Sequence, residues 1–410
     1  MSTTWNPTSK EEIEAKKAFE GLGQSLDKVV IPCAESDNDN RFILHSKGYF
    51  DLRAYVMSGK DFPTTPADFD AKVSMSAFKK LNELDSDIYN KTRDTMVAVG
   101  SSCRDYSYDH LNELVTAGHI AIRYSKYAMD MLDTADGINL RHNLDILLDE
   151  KYTSADKFDE VYKVAKEAAL MTLTMLSDEA TKKQKETDKI SETLTAFKAD
   201  TLKNQPNVKF LVRQYYDGPV VNKSNFKTPY LKYLNEDLAR SLRAFEKTVK
   251  HADDVHGDWK TNKDWAIGTS FFGLVGFIVM TKYARNAVVL RVTYDNLVKE
   301  MEKLEKEQKE ERELIKFVNL LVVQCTDIDH KMDDAITAMT ELSKLFSNQA
   351  DCYDGIASYL SSMKSGATRD VLANRKASFH HNIGVCVNKL KELKVVAEEF
   401  TDTIHNEIPV

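Results

Sequence analysis

The densest cluster of chemistry-bearing side chains is HADDVHGDW at 251–259, with His251, Asp253, Asp254 and His256 close together. Imidazoles and carboxylates are the usual ligands of zinc and related metals. Two metal-binding histidines on one helix are spaced i, i+4, so that both rings share a face. His251 and His256 are five apart and do not share one. The stretch reads first as a solvated helix end, and second as a tip whose histidines gain charge below about pH 6.5. His380–His381 has no cysteine or aspartate at ligand spacing, and Gly21-Leu-Gly23 lacks the preceding strand and third glycine of a nucleotide loop. The sequence contains no GxSxG, Walker A or HExxH pattern. Cysteines fall at 33, 103, 325, 352 and 386, an odd number without CxxC, and are expected as buried free thiols. The expectation is a protein that is not an enzyme and has no metal and no cofactor.

Bulk composition narrows the partners. A net charge of −8 is a poor footprint for nucleic acid and excludes strong overall attraction to anionic lipid. Any membrane affinity must then be local and hydrophobic. Only 15 Gly and 8 Pro in 410 residues argue against a loop-rich or all-β fold and for long helices. The start, MSTTWNPTSKEE, has no basic stretch leading into an apolar one, so no cleavable secretory signal is expected.

Against that background, Trp265–Thr281 stands out as 17 residues without a formal charge. Ten are large and apolar: Trp265, Ile267, Phe271, Phe272, Leu274, Val275, Phe277, Ile278, Val279 and Met280. Left in water, they would forgo ~15–30 kcal/mol in total, more than the ~5–15 kcal/mol by which a domain is stable. Something must cover them. A buried core helix is one solution, but the run is apolar on every face rather than along one stripe. A single transmembrane span is another, yet 17 helical residues reach about 25 Å against about 30 Å of hydrocarbon. A third is an apolar tip delivered to lipid. Its flanks suit an interface: Trp265 and Tyr283 at the two ends, with Lys263, Lys282 and Arg285 in reach of headgroups.

The elements that must position this run are helical. Ser9 and Glu12 form a capping box that opens a helix expected to stop at Pro32. Thr65–Pro66 opens another, to about Gly100. Further helices are expected at 105–136, at 155–204 ending before Pro206, at 230–256 and at 369–404, with 206–229 irregular. Between Phe277 and Asp354 there is neither Gly nor Pro. Apolar residues there follow a 3–4 rhythm through Leu297, Met301 and Leu304, then Ile315, Val318, Val322, Cys325, Ile328, Met332, Ala335, Met339, Leu342 and Phe346. That is a coiled-coil-like helix, with Gln308 and Glu311 interrupting the seam. The mixed charges of 299–313 read as a solvated rod or a partner-facing seam. Helices 155–204 and 230–256 together match the length of the helix after the apolar run, which predicts an antiparallel hairpin with that run at its tip.

The stretch TNKDWAIGTSFFGLVGFIVMTKYARNAVVL, 261–290, set between two long helices, resembles the A component of the alpha-xenorhabdolysin-type binary cytotoxins (the XaxA/YaxA type), related to the cytolysin A superfamily. The resemblance implies an all-α fold: an elongated helical-bundle tail, a long antiparallel coiled-coil neck and an apolar membrane-facing head. Residues 1–204 with 315–410 would form the tail and upper coiled coil, and 205–314 the neck and head, with the tip at 265–281. It implies a protein secreted without a cleavable signal. Residues 265–280 would insert into a target-cell lipid membrane, and a B component would join in a hetero-oligomeric lytic ring. Where cytolysin A has a two-stranded apolar tongue, this chain has one mostly helical run. The competing reading is a membrane-anchored coiled-coil scaffold with one span near 265–281, followed by a helical adaptor without lipid contact.

Overall fold

The computed structural model describes residues 5–32, 40–133, 139–217, 229–232, 234, 309–324, 328–363 and 367–406. The fold is all-α apart from one two-stranded antiparallel sheet among these residues. The chain forms two compact units. One comprises Met1–His45, Glu113–Thr193 and Ala335–Asn406, and the other Ser46–Asn112, Leu194–Asp334 and Glu407–Val410.

In the first unit, α1 (Lys10–Gln24) begins as expected, with the Ser9 side chain accepting from the Glu12 amide at 3.2 Å. It does not reach Pro32. The β-branched run Val29-Val30-Ile31 leaves the helix, and β1 (Val30–Pro32) pairs with β2 (Asn40–Phe42), Val30 opposite Phe42. Phe42 is fully buried, 5.5 Å from Phe400. Phe400 lies on α11 (Arg369–Asn406), the terminal helix expected at 369–404. α1 packs on α11 through stacked Phe19 and Phe379, 3.9 Å apart, with Trp5 edge-on to Phe379 at 5.1 Å. Arg375 pairs with Glu12 beside the Trp5 ring.

α6 (Leu111–Asp133) meets α11 at Gly118, where a Cβ would lie 2.7 Å from Thr401 Cγ2 and 3.0 Å from Phe400. Gly118 therefore serves close helix packing. α10 (Ile328–Ser362) supplies the buried seam Ala335, Met339, Leu342 and Phe346, as its rhythm predicted. α7 (Leu140–Leu147) was not expected. Its eight residues are too few for a clear period, and Asn139 caps it by accepting from the His142 amide at 2.8 Å.

α8 (Glu160–Val212) opens later than expected: Asp159, not Ser154, accepts from the Tyr162 amide at 2.9 Å and the Tyr152 hydroxyl at 2.7 Å. Those two donors hold the Asp159 carboxyl below the usual carboxylate range. Its C-terminal part, in the second unit, runs through Pro206 instead of ending before it. The physical reason is placement. Pro206 and Leu202 are exposed, so the carbonyl that loses its donor faces water, while Gln205, Val208 and Leu211 on the opposite side are buried.

The second unit contains α2 (Lys47–Gly59), α3 (Pro66–Lys72), α4 (Lys79–Leu84), α5 (Ile88–Asp109) and α9 (Lys309–Gln324). The single helix expected from Pro66 to about Gly100 is three. The chain turns at extended Val73 and Asp85 so that Phe69 and Phe78 can both meet Tyr89, at 5.9 and 5.1 Å. α5 then passes through Gly100, which does not end it. A Cβ there would lie 2.3 Å from the Pro63 carbonyl oxygen. Gln324 ties four helices: its Nε2 donates to Tyr55 O and Ser58 Oγ at 2.9 Å, its Oε1 lies 3.9 Å from Cys103 Sγ, and its carbonyl accepts from Gln205 Nε2 at 2.7 Å.

Candidate membrane-contact segment

The residues expected to enter lipid lie outside the described residues: Trp265, Ile267, Phe271, Phe272, Leu274, Val275, Phe277, Ile278, Val279 and Met280. So do the expected interface residues Lys263, Lys282, Tyr283 and Arg285, the histidines of 251–259, and Gln308. What the structure places is the anchorage of the chain on both sides of that segment, within the second unit.

On the N-terminal side, α8 ends in a single π-turn, Arg213–Asp217. One extra residue per turn aims Tyr215 inward, where its hydroxyl lies 3.0 Å from Thr92 Oγ1. Tyr216 donates to Asn319 Oδ1 on α9 at 2.6 Å. After 218–228, Tyr230, Leu231 and Leu234 are buried again, with Tyr230 edge-on to Tyr215 at 5.9 Å. On the C-terminal side, α9 buries Leu314, Ile315, Phe317 and Val318, and Phe317 lies 5.9 Å from Phe62 and 6.4 Å from Phe69.

The electrostatics of this base are inert. Burial, then the nearby Asp85 carboxylate, pushes the Tyr230 hydroxyl up to about 12. Burial raises Tyr215 further still. Burial thus favours the neutral form of both phenols, and their edge-on contact holds two chain segments together. The described cysteines behave alike. Cys103, Cys352 and Cys386 are free thiols, and burial pushes Cys352 up to about 11 and Cys386 up to about 12. Cys33 and Cys325 lie outside the described residues.

His380 sits 3.3 Å from Asp145 without hydrogen-bond alignment, and burial lowers its pKa while Asp145 opposes the shift. Among the described residues, no group of three or more His, Cys, Asp or Glu could hold a metal ion. Among the same residues no helix is long and apolar enough to cross a membrane. Sequence reasoning missed the π-turn and the cross-linking role of the buried glutamines Gln324 and Gln349. The available signal was a glutamine on an apolar seam: Gln349 follows Phe346 by three residues and precedes Tyr353 by four.

No protein-family profile matches the chain, and no curated protein matches it. Among solved structures it is similar to the SmhB pore of the tripartite alpha-pore forming toxin Smh from Serratia marcescens, at 14% identity and TM-score 0.44 over 94% of this chain and 99% of that one. It is similar to YaxA from Yersinia enterocolitica at 15% identity and TM-score 0.41, over 88% of this chain and 97% of that one. Similarity to XaxA from Xenorhabdus nematophila is 13% identity and TM-score 0.38, over 89% and 98%.

Proposed function

We propose that the chain is the A subunit of a two-component α-helical pore-forming cytotoxin. It travels as a water-soluble protein, contacts the target membrane through 265–281, and joins a B subunit in a lytic ring. The observation that carries this reading is the run Trp265–Thr281: apolar on all faces, bordered by Trp265, Lys282, Tyr283 and Arg285, in a chain with 29% charged residues. The anchorage of Tyr230 and Phe317 supports it, because a segment that must meet lipid needs a fixed base from which to do so.

Co-sedimentation with phosphatidylcholine vesicles tests the proposal. The chain is expected in the soluble fraction alone and in the pellet with vesicles. Phe272→Asp with Val275→Asp should keep it in the supernatant with unchanged far-ultraviolet circular dichroism. Vesicle binding by that variant equal to wild type would refute the tip. A chain that fractionates with membranes from the moment of expression would refute the soluble subunit.

A further inference from the structure

Helix α8 carries two apolar faces in the first unit. Tyr162, Ala165, Ala169, Leu173, Leu176 and Ala180 are buried in the core. A second stripe adjoins them on one flank of the helix: Val161, Val164, Ala168, Met171 and Met175, spaced 3-4-3-4. Val161 is 54% exposed, Val164 56%, Met171 66% and Met175 40%, four of the eight large apolar side chains found exposed among the described residues. Scattered single apolar residues need no explanation, but a regular seam of about two heptads, some 21 Å long, matches one helix of a partner.

The border of the stripe states the partner's charge. Glu160, Glu167 and Asp178 are exposed, each three or four residues from a stripe residue and on the side away from the core. Glu160 meets Lys163 in an exposed pair at 3.5 Å, while among the described residues no ion pair engages Glu167 or Asp178. The opposite edge, Ala165 and Thr172, is buried.

This asymmetry disfavours a second copy of the chain. In an antiparallel self-pair, like edges face each other, so Glu160, Glu167 and Asp178 would meet their own counterparts. It also disfavours an anionic lipid surface. We propose that this face of α8 is a docking seam for one amphipathic helix of a different protein, with an apolar stripe of the same spacing bordered by lysine or arginine. The inference stands on α8 alone and holds whether or not 265–281 enters lipid.

Fluorescence anisotropy with the full chain and two stapled helical peptides of about 20 residues tests it. Both carry a leucine stripe at 3-4 spacing, one bordered by lysine and one by glutamate. The lysine peptide should bind saturably, and more weakly as salt rises, while the glutamate peptide should not bind. Val164→Lys with Met171→Lys should weaken the lysine peptide at least about tenfold, with helical content and melting unchanged because both side chains are more than half exposed. Glu167→Lys with Asp178→Lys, both at exposed positions, should move the preference to the glutamate peptide. Absence of lysine-peptide binding, or binding untouched by either double variant, overturns the proposal. Self-association by sedimentation velocity, or phosphatidylcholine vesicle binding, that Val164→Lys with Met171→Lys removes would overturn it in favour of a second copy or of lipid.

Discussion

The Tyr124 hydroxyl lies 3.0 Å from Gln349 Oε1, and both side chains are fully buried. The Tyr353 hydroxyl donates to the same oxygen at 2.7 Å, and Gln349 Nε2 donates to the Leu22 carbonyl and to Ser25 Oγ, both at 2.6 Å. One amide thus joins the end of α1 to α6 and α10. A buried polar group costs little when paired and about 1–3 kcal/mol when its partner is removed. Gln349→Leu should destabilise the protein by about 2–3 kcal/mol, read from urea unfolding. A loss under ~0.5 kcal/mol would mean the network contributes nothing.

At Gly100 two rules give opposite signs. Helix propensity alone predicts that Ala stabilises an interior helical glycine by about 1 kcal/mol. Geometry predicts the reverse, because the new Cβ would meet the Pro63 and Phe62 carbonyl oxygens at 2.3 and 3.0 Å. Those atoms are backbone and held in place, since Arg104 donates to the Lys60 and Phe62 carbonyls at 3.2 Å. Gly100→Ala should therefore cost about 2 kcal/mol. Thermal melting decides it: a raised midpoint would sink the packing account.

Asp51 is 5% exposed and its carboxylate pairs with Lys331 at 2.9 Å. Removing the cation alone strands a buried charge. Lys331→Met should cost about 3 kcal/mol, and Asp51→Leu combined with it should recover much of that loss. A double-mutant cycle by chemical denaturation measures the coupling. Additive single effects would show that the pair does not interact.

His380 titrates in a setting that disfavours its charged form. Burial lowers its pKa below 6.5, Arg141 and Lys376 add to the shift, and Asp145 and Asp133 oppose it. The folded state therefore takes up this proton less readily than the unfolded chain. The associated stability is complete above about pH 6.5 and is lost as pH falls through the depressed folded value. The stability difference between wild type and His380→Gln should shrink from about pH 8 to about pH 5. A difference that is flat or grows on acidification would contradict this.

Much of the helical frame was legible in the sequence because its signals are local. Ser9 with Glu12, and Thr65 with Pro66, cap helices where their types predict. The 3–4 rhythm from Ile315 to Phe346 marks buried positions, from Ile315 and Val318 to Leu342 and Phe346. What failed was termination. Gly100, Pro206 and Pro32 each carry a stop signal, yet a close carbonyl, a solvent-facing helix side and a paired strand decided what those residues do. The residues proposed to meet lipid stand on composition alone, because Trp265 to Met280 lie outside the described residues.

By itself the sequence determined that the chain is helical, that it keeps an uncharged apolar run amid charge, and which positions on its seams are apolar. These follow from side-chain type and spacing, which act within a few residues along the chain. Only the tertiary structure decided which apolar stripes are covered. α8 bears two of similar spacing, and whether Leu173 or Met171 is buried depends on which helices lie against it. The same holds for Gln349 and Gln324, whose amides became cross-links only because folding brought distant backbone and hydroxyl groups within hydrogen-bond reach.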